Sequence, residues 1–163
     1  HLVMSAQSNC NVMDFLDGQI DAIEKAVIKE VKLLYPFEKL LTVPGIGNIL
    51  GMTIMLESGD MNRFQEVSNY SSYCRCVSSK KVSNGKKKGE NNKKNGNKYL
   101  AWAYVEAANF MRRFCPQARS WHQRKVSKTN QIVATKALSS KIARACHSII
   151  KDKTDVDPEM LFE

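Results

Sequence analysis

Residues 37–58 read FEKLLTVPGIGNILGMTIMLES, and the reading of this stretch decides the fold. A short helix is predicted over Phe37–Thr42. It runs into Val43-Pro44-Gly45-Ile46-Gly47-Asn48, and an apolar helix carrying Ile49, Leu50, Met52, Thr53, Met55 and Leu56 follows. Ser58-Gly59-Asp60 stops that second helix. Two glycines let the main chain of the turn approach another surface closely. The unpaired N–H groups that open the next helix are a ready phosphate site. The competing reading is a structural turn between two packed helices, and the basic remainder of the chain puts the phosphate role ahead.

Outward from this pair, the periodicity stays helical. Upstream, Val12, Leu16, Ile20, Ile23, Val27, Val31 and Leu34 recur in steps of three and four, a heptad-like seam. Asp14 and Asp17 enrich its first turn and Lys29 and Lys32 its last, and Pro36 ends it. So narrow a seam suits a helix that pairs with a second copy of the chain. An ordinary amphipathic helix packed on its own domain reads equally well. Downstream, Met61–Tyr73 is a helix capped by Asp60 or Asn62, with Phe64, Val67, Tyr70 and Tyr73 inward. Tyr99–Phe114 is a mostly apolar core helix, and Gln117–Ser127 a basic helical stretch. Asn130–Lys151 is a last amphipathic helix with Ile132, Thr135, Leu138, Ile142, Ala145 and Ile149 on one face. No strand is expected. The class is all-α, and the pair over 37–58 is similar to the helix-hairpin-helix module, which grips nucleic-acid backbones without reading bases. A coiled-coil-like linker helix (1–36), a helical domain (37–152) and a frayed or docked tail (153–163) complete the plan.

At 163 residues the chain makes one domain with an appended helix. Its net charge of +9 and pI near 9.4 favour a polyanionic partner. The charge gathers in the centre and the C-terminal third, which points to nucleic acid. No stretch is long and apolar enough to span a membrane, so a membrane partner is not expected. Five cysteines without a signal peptide suggest reduced, buried thiols in a cytoplasm. Cys74 and Cys76 lie far in sequence from His1, His122 and His147, so no metal site is expected. The start at His1 suggests a piece of a longer protein.

The charge centres on Cys74–Leu100, CRCVSSKKVSNGKKKGENNKKNGNKYL. Here Arg75, Lys80, Lys81, Lys86, Lys87, Lys88, Lys93, Lys94 and Lys98 face a single acid, Glu90. The stretch has neither helical nor strand period and is predicted to be a long loop, either functional or disordered. Within it, Ser83 precedes Asn84-Gly85, a dipeptide that favours a tight turn. A serine is a weak nucleophile that needs a base or surrounding positive charge. No histidine lies in the stretch, so protease-like chemistry is not supported. Lysines can neutralise a phosphodiester and stabilise charge developing in its transition state. On composition alone, a basic loop gripping a phosphate backbone is the stronger reading. No carboxylates converge in the pattern that two-metal nuclease chemistry demands.

The order TVPGIG (42–47), IMLESGDMNRF (54–64), NYSSYCRCV (69–77), SNGKKKG (83–89) and KNGNKYLAWAYVEAA (94–108) resembles one transposase family. It is similar to the C-terminal domain of the insertion-sequence transposases numbered one hundred and ten, most of all their eleven-eleven subgroup, from about Asp14 to Lys151. The resemblance implies an N-terminal resolvase-like domain, absent here, whose DEDD carboxylates bind Mg2+. It also implies a coiled coil joining the domains, oligomers, and an element-encoded guide RNA that pairs with DNA. The family's proposed serine nucleophile falls on Ser83, with Ser83-Asn84-Gly85 where the usual pattern is Ser-Gly. The family's Gly-Asn pair falls on Gly96-Asn97.

The resulting expectation is a DNA-binding, serine-bearing part of a bacterial, cytoplasmic transposase, inactive or nearly so alone, with Ser83 catalytic. Nucleic acid would be held by Gly45, Ile46, Gly47, Asn48, Lys80, Lys81, Lys86, Lys87, Lys88, Lys93, Lys94, Asn95, Gly96 and Asn97. No cofactor is expected within the chain itself. The rival readings are a non-catalytic binding module and an oligomerisation domain built on the first helix.

Overall fold

The computed structural model describes residues 1–31, 35–77, 80–90, 95–155 and 160–162. The chain divides into two compact units, His1–Leu34 and Tyr35–Glu163. In the first, helix α1 spans Leu2–Val31. It begins well before the predicted Val12, because nothing between Leu2 and Gly18 breaks a helix. Gln7 Nε2 also donates to Asn11 Oδ1 (3.1 Å) across one turn. The predicted end at Leu34 lies outside the described residues. Val12, Leu16, Ile20 and Ile23 are all exposed, so most of the apolar seam is uncovered.

In the second unit, α2 (Tyr35–Leu41) takes Pro36 into its first turn, where a missing N–H costs nothing. The turn through Gly47 leads to α3 (Asn48–Ser58), ended by Gly59 at φ 59°. The predicted helix Met61–Tyr73 is two pieces. A 3-10 turn over Met61–Arg63 is capped by Asp60, whose side chain accepts from Asn62 N, and α4 covers Val67–Tyr73. Phe64 breaks the run with extended backbone and buries its ring. The carbonyls of Phe64 and Gln65 are satisfied from far along the chain by Lys151 Nζ (2.6 and 3.3 Å). Local periodicity cannot foresee such a partner.

Helix α5 (Lys98–Phe114) is the hub, packing against α3 and α7 (Gln131–Asp152), while α6 (Pro116–Lys128) packs on α5 and α7. Ala103, Ala107 and Ala108 bring neighbouring backbones close to α5, and Leu40, Ile54, Tyr104, Met111, Leu138 and Ile142 fill the core. Asn97 and Asn130 cap α5 and α7, each accepting backbone N–H bonds one turn in. On α7 the inward face begins a turn later than predicted. Ile132 is 82% exposed, whereas Leu138, Ile142, Ala145 and Ile149 are buried. Helix α5 is the core helix expected, and it carries aromatic residues on its outer face as well.

The tail docks over Met160–Phe162, a 3-10 turn whose Leu161 carbonyl accepts from Lys141 Nζ (2.6 Å). The class is mostly helical, as expected, with one correction in the basic stretch: Lys80–Ser83 (β1) and Lys86–Glu90 (β2) form an antiparallel hairpin. Among the described residues no helix is long and apolar enough to cross a membrane.

Candidate nucleic-acid interface

The hairpin exists because of Asn84-Gly85. Both residues have positive φ (51° and 72°), the signature of a two-residue turn whose twist matches that of paired strands. Ser83 is the last residue of β1 and pairs with Lys86 across the turn. Ser83, Asn84, Gly85, Lys86 and Lys88 are exposed. The register slips between Lys81 and Val82: Lys81 faces Gly89 and Val82 faces Lys87, leaving Lys88 as an extra residue. Such a bulge increases the local twist. Lysines run consecutively, Lys80-Lys81 in β1 and Lys86-Lys87-Lys88 in β2, so no alternation of apolar and polar residues marks a strand period in the sequence. Lys93 and Lys94 lie outside the described residues.

The two segments that flank the hairpin are clamped to each other on the helical body. Asn97 N donates to Tyr73 O (2.7 Å), and the Arg75 guanidinium donates twice to Gly96 O (3.1 and 2.8 Å). Gly96 has φ 96°, and a Cβ there would collide with the Tyr73 carbonyl, so only glycine fits. Asn97 also donates from Nδ2 to Glu57 Oε2 (2.6 Å). Arg63 lies over the Phe64 and Tyr73 rings (4.5 Å each). Hydrogen bonds from Asn97, then from Arg63, hold the Tyr73 phenol below its usual value. Gly96 and Asn97, expected to hold nucleic acid, are bonded to Tyr73, Arg75 and Glu57, and Asn95 beside them is exposed. Arg75 was read as one of the cations of the basic stretch, whereas Glu57, Arg63 and Tyr73 were not anticipated at the site.

The turn before α3 divides its duties. Gly45 has φ 92°, and a Cβ would meet Ala107 O at 2.5 Å and Met111 N at 2.6 Å, so this glycine serves close packing on α5. Ile46 is buried in the core. Gly47 and Asn48 are exposed, and Gly47 precedes α3 in extended conformation without a side-chain cap. The opening N–H groups of α3 are therefore left for an outside acceptor.

All five cysteines are free; Cys74, Cys76, Cys115 and Cys146 are buried and Cys10 is exposed. Burial pushes the Cys76 thiol up to about 11 and the Cys146 thiol to about 12. Among the described residues no three His, Cys, Asp or Glu side chains gather to hold a metal ion.

The profile of the transposase IS116/IS110/IS902 family matches residues 37–123, more than half of the chain. The chain belongs to this family. The match runs from α2 through the clamp and the lysine hairpin into α6, so the candidate interface lies wholly within it. A probable family 20 transposase of Pseudomonas aeruginosa is 25% identical over 147 residues, covering 88% of this chain and 44% of the relative. The chain therefore spans less than half the length of that curated transposase.

Proposed function

We propose that the chain is the DNA-binding, serine-bearing part of a transposase in which Ser83 attacks a DNA phosphodiester. The observation that carries this reading is an exposed serine at the closing pair of a lysine-rich hairpin, opposite Lys86 in register. Neighbouring ammonium groups attract the phosphate and offset negative charge gathering on its oxygens. In the step itself the Ser83 Oγ–P bond forms as a P–O bond to the sugar breaks. The serine proton leaves to water, and the departing alkoxide takes one up. The clamp at Arg75, Gly96 and Asn97 ties together the two segments that flank the hairpin.

The N–H groups at Gly47 and Asn48 offer a second grip on the same backbone. DNA is the substrate in this reading, guide RNA a further partner, and α1 with its uncovered seam the element that pairs copies of the chain. Mg2+ ligands of the full-length enzyme belong to residues beyond those described, and no step here runs through them.

The test is recombination by the full-length transposase with its element and guide RNA. Ser83→Ala should abolish it, by about 10³-fold or more, while DNA affinity is retained. Near-normal recombination by this variant would leave the chain as a non-catalytic binding module.

A further inference from the structure

Helix α5 buries one face and leaves another exposed that is unusually aromatic. Leu100, Ala103, Tyr104, Ala107 and Met111 point inward, whereas Phe110 is 38% and Phe114 72% exposed. The two phenyl rings stand one helical turn apart and nearly parallel, with centroids 6.4 Å apart and an interplanar angle of 11°. Trp102 and Tyr99, also exposed, carry aromatic surface back along the helix toward Lys98. At about 100° per residue, Arg113 lies between Asn109 and Phe110 around the helix. Asn109 and Arg113 in turn line an open groove of about 830 Å³ between α5, α6 and the start of α7.

The groove is cationic and holds no acid. Its charged walls are Arg112, Arg113 and Arg119, with amides and hydroxyls between them. Arg119 is fixed in place, donating to Arg112 O (3.2 Å) and Arg113 O (2.7 Å) at the C-terminus of α5. His122 Nε2 meets the Thr135 hydroxyl at 3.1 Å, and burial followed by the nearby Arg112 depresses the pKa of the ring. At neutral pH the positive charge of the groove therefore comes from arginine.

We propose that this face binds single-stranded nucleic acid, its backbone held at Arg113, where the cationic groove meets the aromatic side of α5, and its bases stacking on Phe110 and Phe114. Guanidinium groups beside accessible rings match both halves of a nucleotide whose base is unpaired. A duplex keeps its base faces inside the stack and could use the arginines only. The surface is distinct from the lysine hairpin. It rests on the reading of the chain as a nucleic-acid binder but requires nothing of Ser83.

Fluorescence anisotropy on the chain with an oligo-dT of about 16 nucleotides, an RNA of equal length and a duplex tests it. Phe110→Ala combined with Phe114→Ala should weaken binding of both single strands roughly tenfold while leaving the duplex within about twofold. Arg113→Ala should lower the salt slope for the single strands by about one. All these side chains are at least partly exposed, so circular dichroism should report an unchanged fold. Lys86→Ala with Lys88→Ala should weaken the duplex and preserve the phenylalanine-dependent part of single-strand binding. Wild-type single-strand affinity in the double phenylalanine variant would overturn the proposal. So would loss of self-association in that variant with nucleic-acid binding unchanged, which would make the face a protein contact. Failure of the unaltered chain to bind any of the three probes would overturn the nucleic-acid reading itself.

Discussion

Tyr70 sits in the middle of a buried chain of three hydroxyls, with Ser58 Oγ at 2.7 Å on one side and Tyr104 OH at 2.7 Å on the other. Burial, foremost, keeps both phenols protonated by raising their pKa values well above the usual tyrosine range. Removing the middle hydroxyl takes a partner from both Ser58 and Tyr104, whereas removing the outer one leaves Tyr70 still bonded to Ser58. Tyr70→Phe should therefore destabilise the chain more than Tyr104→Phe, each orphaned group costing about 1–3 kcal/mol, as read from urea unfolding. Equal losses would show that the chain does not act as a unit. The thiols permit a second check. Raised pKa values keep Cys76 and Cys146 protonated at pH 8, and their thiolates would appear only as pH climbs toward about 11 and 12. Alkylation of the folded protein at pH 8 should then mark Cys10 and spare the buried thiols until denaturant is added. The buried character of four cysteines was legible from their number and context. The hydroxyl chain was not, because it joins residues 58, 70 and 104 across three helices.

The turn between α2 and α3 shows two glycines with opposite duties. Gly45→Ala must place a Cβ against the backbone of α5 at positive φ, and should cost more than about 2 kcal/mol. Gly47→Ala meets nothing within 4 Å and should leave stability within about 1 kcal/mol of wild type. Thermal or urea melts of the two variants separate them, and equal stability would contradict the close packing of Gly45. At this scale the sequence told helices well wherever a cap or breaker stood at the boundary, as at Asn97, Pro116 and Asn130. It failed where a long-range partner decided the outcome. Phe64 ends a helical run because Lys151 supplies its carbonyl, and two strands of lysine form because Asn84-Gly85 closes them. Helix α5 was legible as a core helix, but its exposed rings were not. Apolar residues occur on both of its faces, and periodicity alone cannot separate a buried ring from one left in water.

Over the whole molecule, a net charge of +9 is displayed on a hairpin and an arginine groove, while α1 leaves its apolar seam uncovered. Two carboxylates on that seam should prevent copies of the chain from pairing. On the proposed pairing, wild type should sediment as a dimer and Ile23→Asp with Val27→Asp as a monomer, and an unchanged sedimentation coefficient would remove α1 from the assembly. The motif order announced the family. The position of Ser83 at the closing pair of a hairpin emerged only from the fold.

The central claim is tested most directly by mass spectrometry of the covalent species. The full-length transposase would be quenched in mid-reaction on its DNA ends, then digested with nuclease and protease. The account predicts a nucleotide phosphate esterified to Ser83 and absent from Ser83→Ala. An adduct on any other residue, or its persistence in the alanine variant, would contradict it.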